Sequence, residues 1–178
     1  MLNFDRLTDE ISTVAASALD EIVAALRGET LAGFALCSDA GAMGVSPAFN
    51  TSTNLGRNVR ADPQDAAYHR WNPAEWDFES RGIEHFEKLN QRIRFSVAAV
   101  PAKEFGEFRA QLFDACVAAL QRVRQLPRFA DTLRGAAIVF SATGFEDPPS
   151  EKAWNAALNT PEDAQEFCRW LDSINPTG

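Results

Sequence analysis

Apolar residues recur along this chain in two rhythms, and each predicts a kind of element. Between Asp5 and Arg27, Leu7, Ile11, Val14, Ala18, Ile22 and Leu26 fall three and four apart, which puts one stripe of a helix on the core until Gly28 ends it. After Gly82, Ile83, Phe86, Leu89, Ile93, Val97 and Val100 keep the same spacing up to Pro101. The end of that run also alternates as Ile93, Phe95, Val97 and Ala99, so a strand stays open there beside the helix. Pro101 suits the first turn of a further helix, whose stripe is Phe105, Phe108, Leu112, Cys116, Ala119, Leu120 and Val123, with Pro127 as its stop. Asp147 and Pro148 start a short helix through Trp154 and Leu158. In Thr160-Pro161-Glu162-Asp163 a cap, a proline at the first helical position and acids in the first turn precede Phe167, Leu171 and Ile174.

The rhythm changes to two in Leu31 to Thr51. Ala32, Phe34, Leu36 and Ser38 alternate with Gly33, Ala35 and Cys37, so both faces are apolar or small and a strand covered on both sides is expected. Asp39, Ala40 and Gly41 supply turn chemistry, and Met43 and Val45 resume the alternation before Pro47. A proline without an amide donor places this second strand outermost, or bent near Pro47. Ala136 to Ala142 is a third strand candidate, remote enough that its pairing cannot be derived. The expectation is a single α+β domain over residues 1–178: a small, mostly antiparallel sheet, made of hairpin 31–51 and strand 136–142, packed by about five helices. Ser52 to Gln64 has little periodicity and reads as loop or a short irregular helix. In Tyr68 to Phe78, Asn72 before Pro73 predicts an extended residue, then a helical turn with Glu75 near its positive end.

A chain of 178 residues buries about 70% of the surface its unfolded form exposes, enough for a core without staples. The three cysteines, Cys37, Cys116 and Cys168, are odd in number and far apart, which fits unpaired thiols in a reducing compartment. Acids near the start oppose a signal peptide, and no apolar run has membrane length, so a cytoplasmic protein is expected. The net charge of −8 is unevenly spread. Residues 1–30 carry six acids and two bases, residues 62–87 seven and two, and residues 145–172 seven and two, whereas residues 88–134 carry nine bases and four acids. Three blocks that repel phosphate argue against nucleic acid and leave a basic protein as the expected partner.

Catalytic and metal signatures are missing. His69 and His85 stand sixteen apart with no C-x-x-C or H-E-x-x-H, so neither a metal nor any other cofactor is expected. Gly44-Val45-Ser46-Pro47-Ala48 puts proline where a nucleophile elbow needs glycine, and Gly41-Ala42-Met43-Gly44 lacks the rest of a phosphate loop. The densest candidate group is Trp71, Glu75, Trp76 and Asp77. Exposed, its rings and acids form a binding surface; half-buried, the same rings seal the hairpin while the acids are solvated. Glu75, Asp77 and His69 beside the two tryptophans leave an acid/base or small-ligand site as an alternative, and a structural adaptor domain is a third.

Asp39-Ala-Gly-Ala-Met43 with Ser46-Pro-Ala-Phe-Asn50, then Arg70-Trp-Asn-Pro-Ala-Glu-Trp76, Phe113-Asp-Ala-Cys-Val-Ala-Ala-Leu120 and Ala157-Leu-Asn159, resemble the bacterial domain-of-unknown-function family numbered 4303. The chain departs from it after Gln125, where Leu126-Pro127-Arg128-Phe129 replaces a glycine-containing turn. That family has no established activity; its size and bacterial range are similar to those of small cytoplasmic proteins encoded beside secreted toxins, which implies an immunity or inhibitor role. The expected reading is a non-enzymatic protein that covers a basic, toxin-like partner with Trp71, Glu75, Trp76 and Asp77, joined by Asp39 and Asn50 from the hairpin end, at neither nucleic acid nor membrane.

Overall fold

The computed structural model describes residues 2–76, 78–79 and 81–175. Helix α1 (Phe4–Ala25) opens with the Asn3 side chain accepting from the Arg6 amide at 2.9 Å, and leads into strands β1 (Leu31–Asp39) and β2 (Ser46–Thr51). Helices α2 (Ser52–Ala61) and α3 (Ala66–Trp71) follow, then a 3₁₀ turn at Pro73–Glu75 and the two-residue strand β3 (Phe78–Glu79). A 3₁₀ turn at Ile83–Phe86 precedes α4 (Glu87–Ala99); α5 (Phe105–Gln125), β4 (Ala137–Thr143), α6 (Pro148–Leu158) and α7 (Pro161–Ile174) complete the chain.

The fold is α+β, but the sheet is mixed. Its order is β3-β2-β1-β4, with β1 antiparallel to β2 and parallel to β4 from Gly33↔Ala137 to Asp39↔Thr143. Two of the three strand pairs are antiparallel, so the expected mostly antiparallel sheet is roughly right, and the β1–β4 pair is the parallel exception. It needs a crossover, and everything between β2 and β4 supplies it, a connection no local pattern announces. The outermost place expected for β2 is overturned, because β3 pairs with it at Ala48 and Phe49; Pro47 itself pairs opposite Leu36. Among the described residues Pro47 has a strand partner only on the β1 side, where a missing donor is tolerated.

Among the described residues α-helices number seven instead of about five, because the stretch after β2 is helical. Thr51 caps α2 by accepting from the Asn54 amide at 3.2 Å, and Asn54 in turn donates to buried Asn50 at 2.8 Å. Buried polar bonds, not an apolar stripe, hold this helix, so its periodicity is weak. Residues 93–100, open between helix and strand, form the last two turns of α4 and the residue after it. The Pro127–Phe129 turn after Gln125 is 3₁₀ and buries Phe129.

Both faces of β1 are covered. Phe34 and Leu36, with Ile138 and Phe140 of β4, face a large core built from α1, α4, α5 and α6. Ala35 with Ala48, Ala137 and Val139 faces a smaller one, filled by Trp71, Trp76, Phe167 and Leu171. Small residues on that second face leave room for the indoles. At Gly33 a Cβ would lie 2.7 Å from the Trp76 ring, so glycine is what lets the ring seat on β1. Cys116 is fully buried in the α5 stripe, and burial pushes its thiol pKa far up, which makes it a core residue and not a nucleophile. No helix among the described residues is long and apolar enough to cross a membrane.

Candidate functional site

The chain from α3 to the Pro73 turn is held by polar contacts on one side and indole packing on the other. Arg70 donates to Asp163 at 2.6 Å and to Glu166 at 2.5 Å, tying α3 to the first turns of α7, and its guanidinium lies 4.7 Å from the Trp71 ring centre. Trp71 meets Phe167 edge-on at 5.7 Å, and Tyr68 lies 6.4 Å from Trp170. The Tyr68 hydroxyl donates to Glu75 Oε1 at 2.9 Å; that bond to a carboxylate raises the Tyr68 pKa above its ordinary value.

This packing places the sequence-derived group differently from expectation. Trp71 and Trp76 are 1% and 3% exposed, so neither indole can meet a partner at a surface, and the sealing role is the one they fill. Their ring areas are worth most on the small-residue face of the sheet, which is why they turn inward. Asn50 is 1% exposed and pairs opposite Gly33, well along β1 from Asp39, so the two do not share a hairpin end. Asp39 stays at the turn, where its carbonyl accepts from the Ala42 amide at 2.9 Å. Asp77 lies outside the described residues. Glu75 is engaged by Tyr68, and both ring nitrogens of His69 are buried without a hydrogen-bond partner; neither residue lines the cleft described next.

What the fold does bring together is a cleft of ≈ 280 Å³ beside the edge strand β4, walled by α3, α7 and the start of α6. Its apolar lining includes Trp71, Phe145, Phe167 and Trp170, and its acids are Glu146 and Glu151. The Nε1 atoms of Trp71 and Trp170 are buried without a hydrogen-bond partner. Among the described residues neither Glu146 nor Glu151 has an ion-pair partner. Burial, and then the nearby Asp147 and Glu146 charges, push the Glu151 carboxyl above its ordinary pKa, against a backbone hydrogen bond at Asp147 that pulls it down. Rings and an unneutralised carboxylate suit a cation, such as a basic side chain.

Sequence reasoning missed Glu146, Glu151 and Trp170. Trp170 lay beside the Phe167, Leu171 and Ile174 stripe and widened it, a signal that was available. Glu151 looked like any acid in a first helical turn, and only the return of α7 past β4 gives it company. The same holds for His85, which tertiary packing brings within 4.8 Å of Glu21 and Glu84 as a set of candidate metal-ligand atoms. Its Nε2 lies 3.1 Å from Glu21, an ordinary surface ion-pair geometry.

No curated protein and no solved structure matches the chain. The family described as "Domain of unknown function (DUF4303)" matches residues 11–160. That span includes β1 to β4, α2 to α6 and so the β4, α3 and α6 sides of the cleft, leaving the α7 wall outside it. The chain belongs to the DUF4303 family.

Proposed function

We propose that this is a non-enzymatic binding protein of the immunity or inhibitor kind, acting in the bacterial cytoplasm on a basic protein partner and not on nucleic acid or membrane. The contact surface differs from the exposed indoles that the sequence suggests. A lysine or arginine of the partner enters the cleft between α3, α6 and α7, where Glu151 receives its charge and the rings of Phe145 and Trp170 flank its stem. One observation carries this reading: a carboxylate set in an aromatic cleft, beside other acids and without a counter-ion among the described residues. Such an arrangement costs folding free energy and is offset when a cation arrives. The excess acid of residues 145–172 would speed a basic partner's approach.

Calorimetric titration with an arginine-containing hexapeptide and its citrulline counterpart tests the cleft. Binding of the arginine peptide, weakened about tenfold or more by Glu151→Gln and not shared by citrulline, supports it. Equal binding of both peptides, or wild-type affinity in the variant, overturns it. For the immunity role, co-expression with the neighbouring gene's product should give a complex that protects cells; no complex and no protection would sink that role. The cleft volume also suits a small organic cation, which is the second reading, and titration with free arginine in place of the peptide separates the two.

A further inference from the structure

Helices α1 and α4 meet at a second surface, where the most exposed large hydrophobic among the described residues lies beside two arginines. Phe95 is 80% exposed, against 44% for Met43 and 53% for Ile174, the other large hydrophobics left at the surface. It lies one turn after Gln91 and Arg92 on α4, and one turn before the exposed Ala98 and Ala99. Helical spacing explains why it faces out: Leu89, Ile93 and Val97 take the core side, and Phe95 falls across the axis from them. Beside it is a cleft of ≈ 460 Å³ lined by α4, α1 and the two residues before α1, among them Arg6, Arg92 and Phe95 but no acid.

The arginines are set in place. Glu10 accepts from Arg6 Nε at 3.2 Å through one oxygen and from Arg92 Nη1 through the other, so one carboxylate holds two guanidinium groups side by side. Two positive charges against one negative leave a net positive pair. Each guanidinium keeps donors that Glu10 does not use, in the fork geometry that suits a second carboxylate. Arg6 and Arg92 are 78% and 50% exposed, so they are reachable. Arg92 belongs to the basic block 88–134, whereas Arg6 stands in the acidic block 1–30, so the positive charge here is that of the arginine pair itself.

We infer that this face is a second docking site, which takes an acidic segment of a partner protein, with a carboxylate on the Arg6 and Arg92 pair and an apolar side chain against Phe95. Charge complementarity selects an acidic occupant. Nucleic acid offers phosphate and stacking bases too, but the overall charge of −8 repels a polyanion, whereas a short acidic segment meets only the local field. The contact is of the rim-charge kind, with Phe95 as its anchor, and is independent of the cleft at Glu151.

Fluorescence polarisation with a labelled peptide alternating glutamate and leucine tests this on the full chain. Its lysine-for-glutamate counterpart and a single-stranded oligothymidine serve as comparison probes. The acidic peptide is expected to bind, to weaken about tenfold or more with Phe95→Ala and with Arg92→Gln, and to weaken further as salt rises. Glu151→Gln should leave it unchanged, which separates this site from the cleft. Phe95 is exposed, so thermal melting of Phe95→Ala should match wild type and rule out misfolding. Three results would each overturn the inference: no binding of the acidic peptide up to about 1 mM, wild-type affinity in both variants, or a preference for the lysine peptide or the oligonucleotide.

Discussion

Glu151 shows how one side chain can record a function as a cost. Its carboxyl pKa lies above the ordinary value because burial comes first and the Asp147 and Glu146 charges add to it. The folded chain then holds a proton that the unfolded chain has already released. Stability contributed by this group is present at low pH and falls as pH rises from the ordinary carboxylate range through the raised value. Glu151→Gln removes the charge while keeping the shape, so it should melt higher than wild type at pH 7 and level with it below about pH 4. Melting curves across that range check the sign; a variant that melts lower at neutral pH would mean the carboxylate has a stabilising partner. Gly33 works on a different principle, since its missing Cβ gives the Trp76 ring its seat.

At the level of elements, two polar devices fix what apolar packing leaves loose. Asn90 on α4 accepts from the Val45 amide at 2.8 Å and returns a bond to the Val45 carbonyl at 2.9 Å, which pins the connection between β1 and β2. Asn159 does the same to Ile138 on edge strand β4, accepting at 2.9 Å and donating at 2.7 Å, so part of that edge is covered by a side-chain amide. Arg70 joins α3 to α7, the pair of helices that forms two walls of the cleft. Arg70→Met should cost about 1–2 kcal/mol in denaturant unfolding, with solvent screening of these half-buried groups holding it to that range. The same change should weaken the arginine peptide, since α3 and α7 would lose their mutual register. A variant with unaltered stability would show that indole packing alone holds the two helices.

Over the whole molecule, the sheet separates an acidic aromatic cleft from a face that carries an arginine pair. Trp71, Phe167 and Leu171, which pack the smaller core, belong to helices that wall the acidic cleft, while α1 and α4, packed in the larger core, carry the Arg6, Arg92 and Phe95 face. If both bind as argued, the arginine peptide and the acidic peptide should occupy one molecule together, each with an affinity within about twofold of its value alone, because distant sites with no shared partners add. Competition between them in a two-probe titration would mean a shared site or a coupled sheet.

Local order was legible where a single rhythm decides it. The stripes of α1, α5 and α7, the Thr160 cap, β1 with its two covered faces, and the Pro73 turn follow from spacing and from residues whose backbone preferences are strong. Helix α2 was not legible, since buried asparagine bonds support it and no apolar stripe marks it. Spacing found the aromatic, acidic stretch around Trp71 and Trp76 but could not say which way the rings point. That depends on the small residues of β1, β2 and β4, which lie far away in the chain. By itself the sequence determined the helical stripes, β1, the later part of β2, β4 and the uneven charge, all of which depend on neighbours within a few turns; it showed no sign of the two-residue β3 and extended β2 back to Met43, where the structure has a loop. Only the tertiary structure decided that β4 runs parallel to β1, that both indoles are interior, and that Glu151 and Trp170 share a cleft. Each of those is a meeting of segments whose separation along the chain leaves no periodic trace.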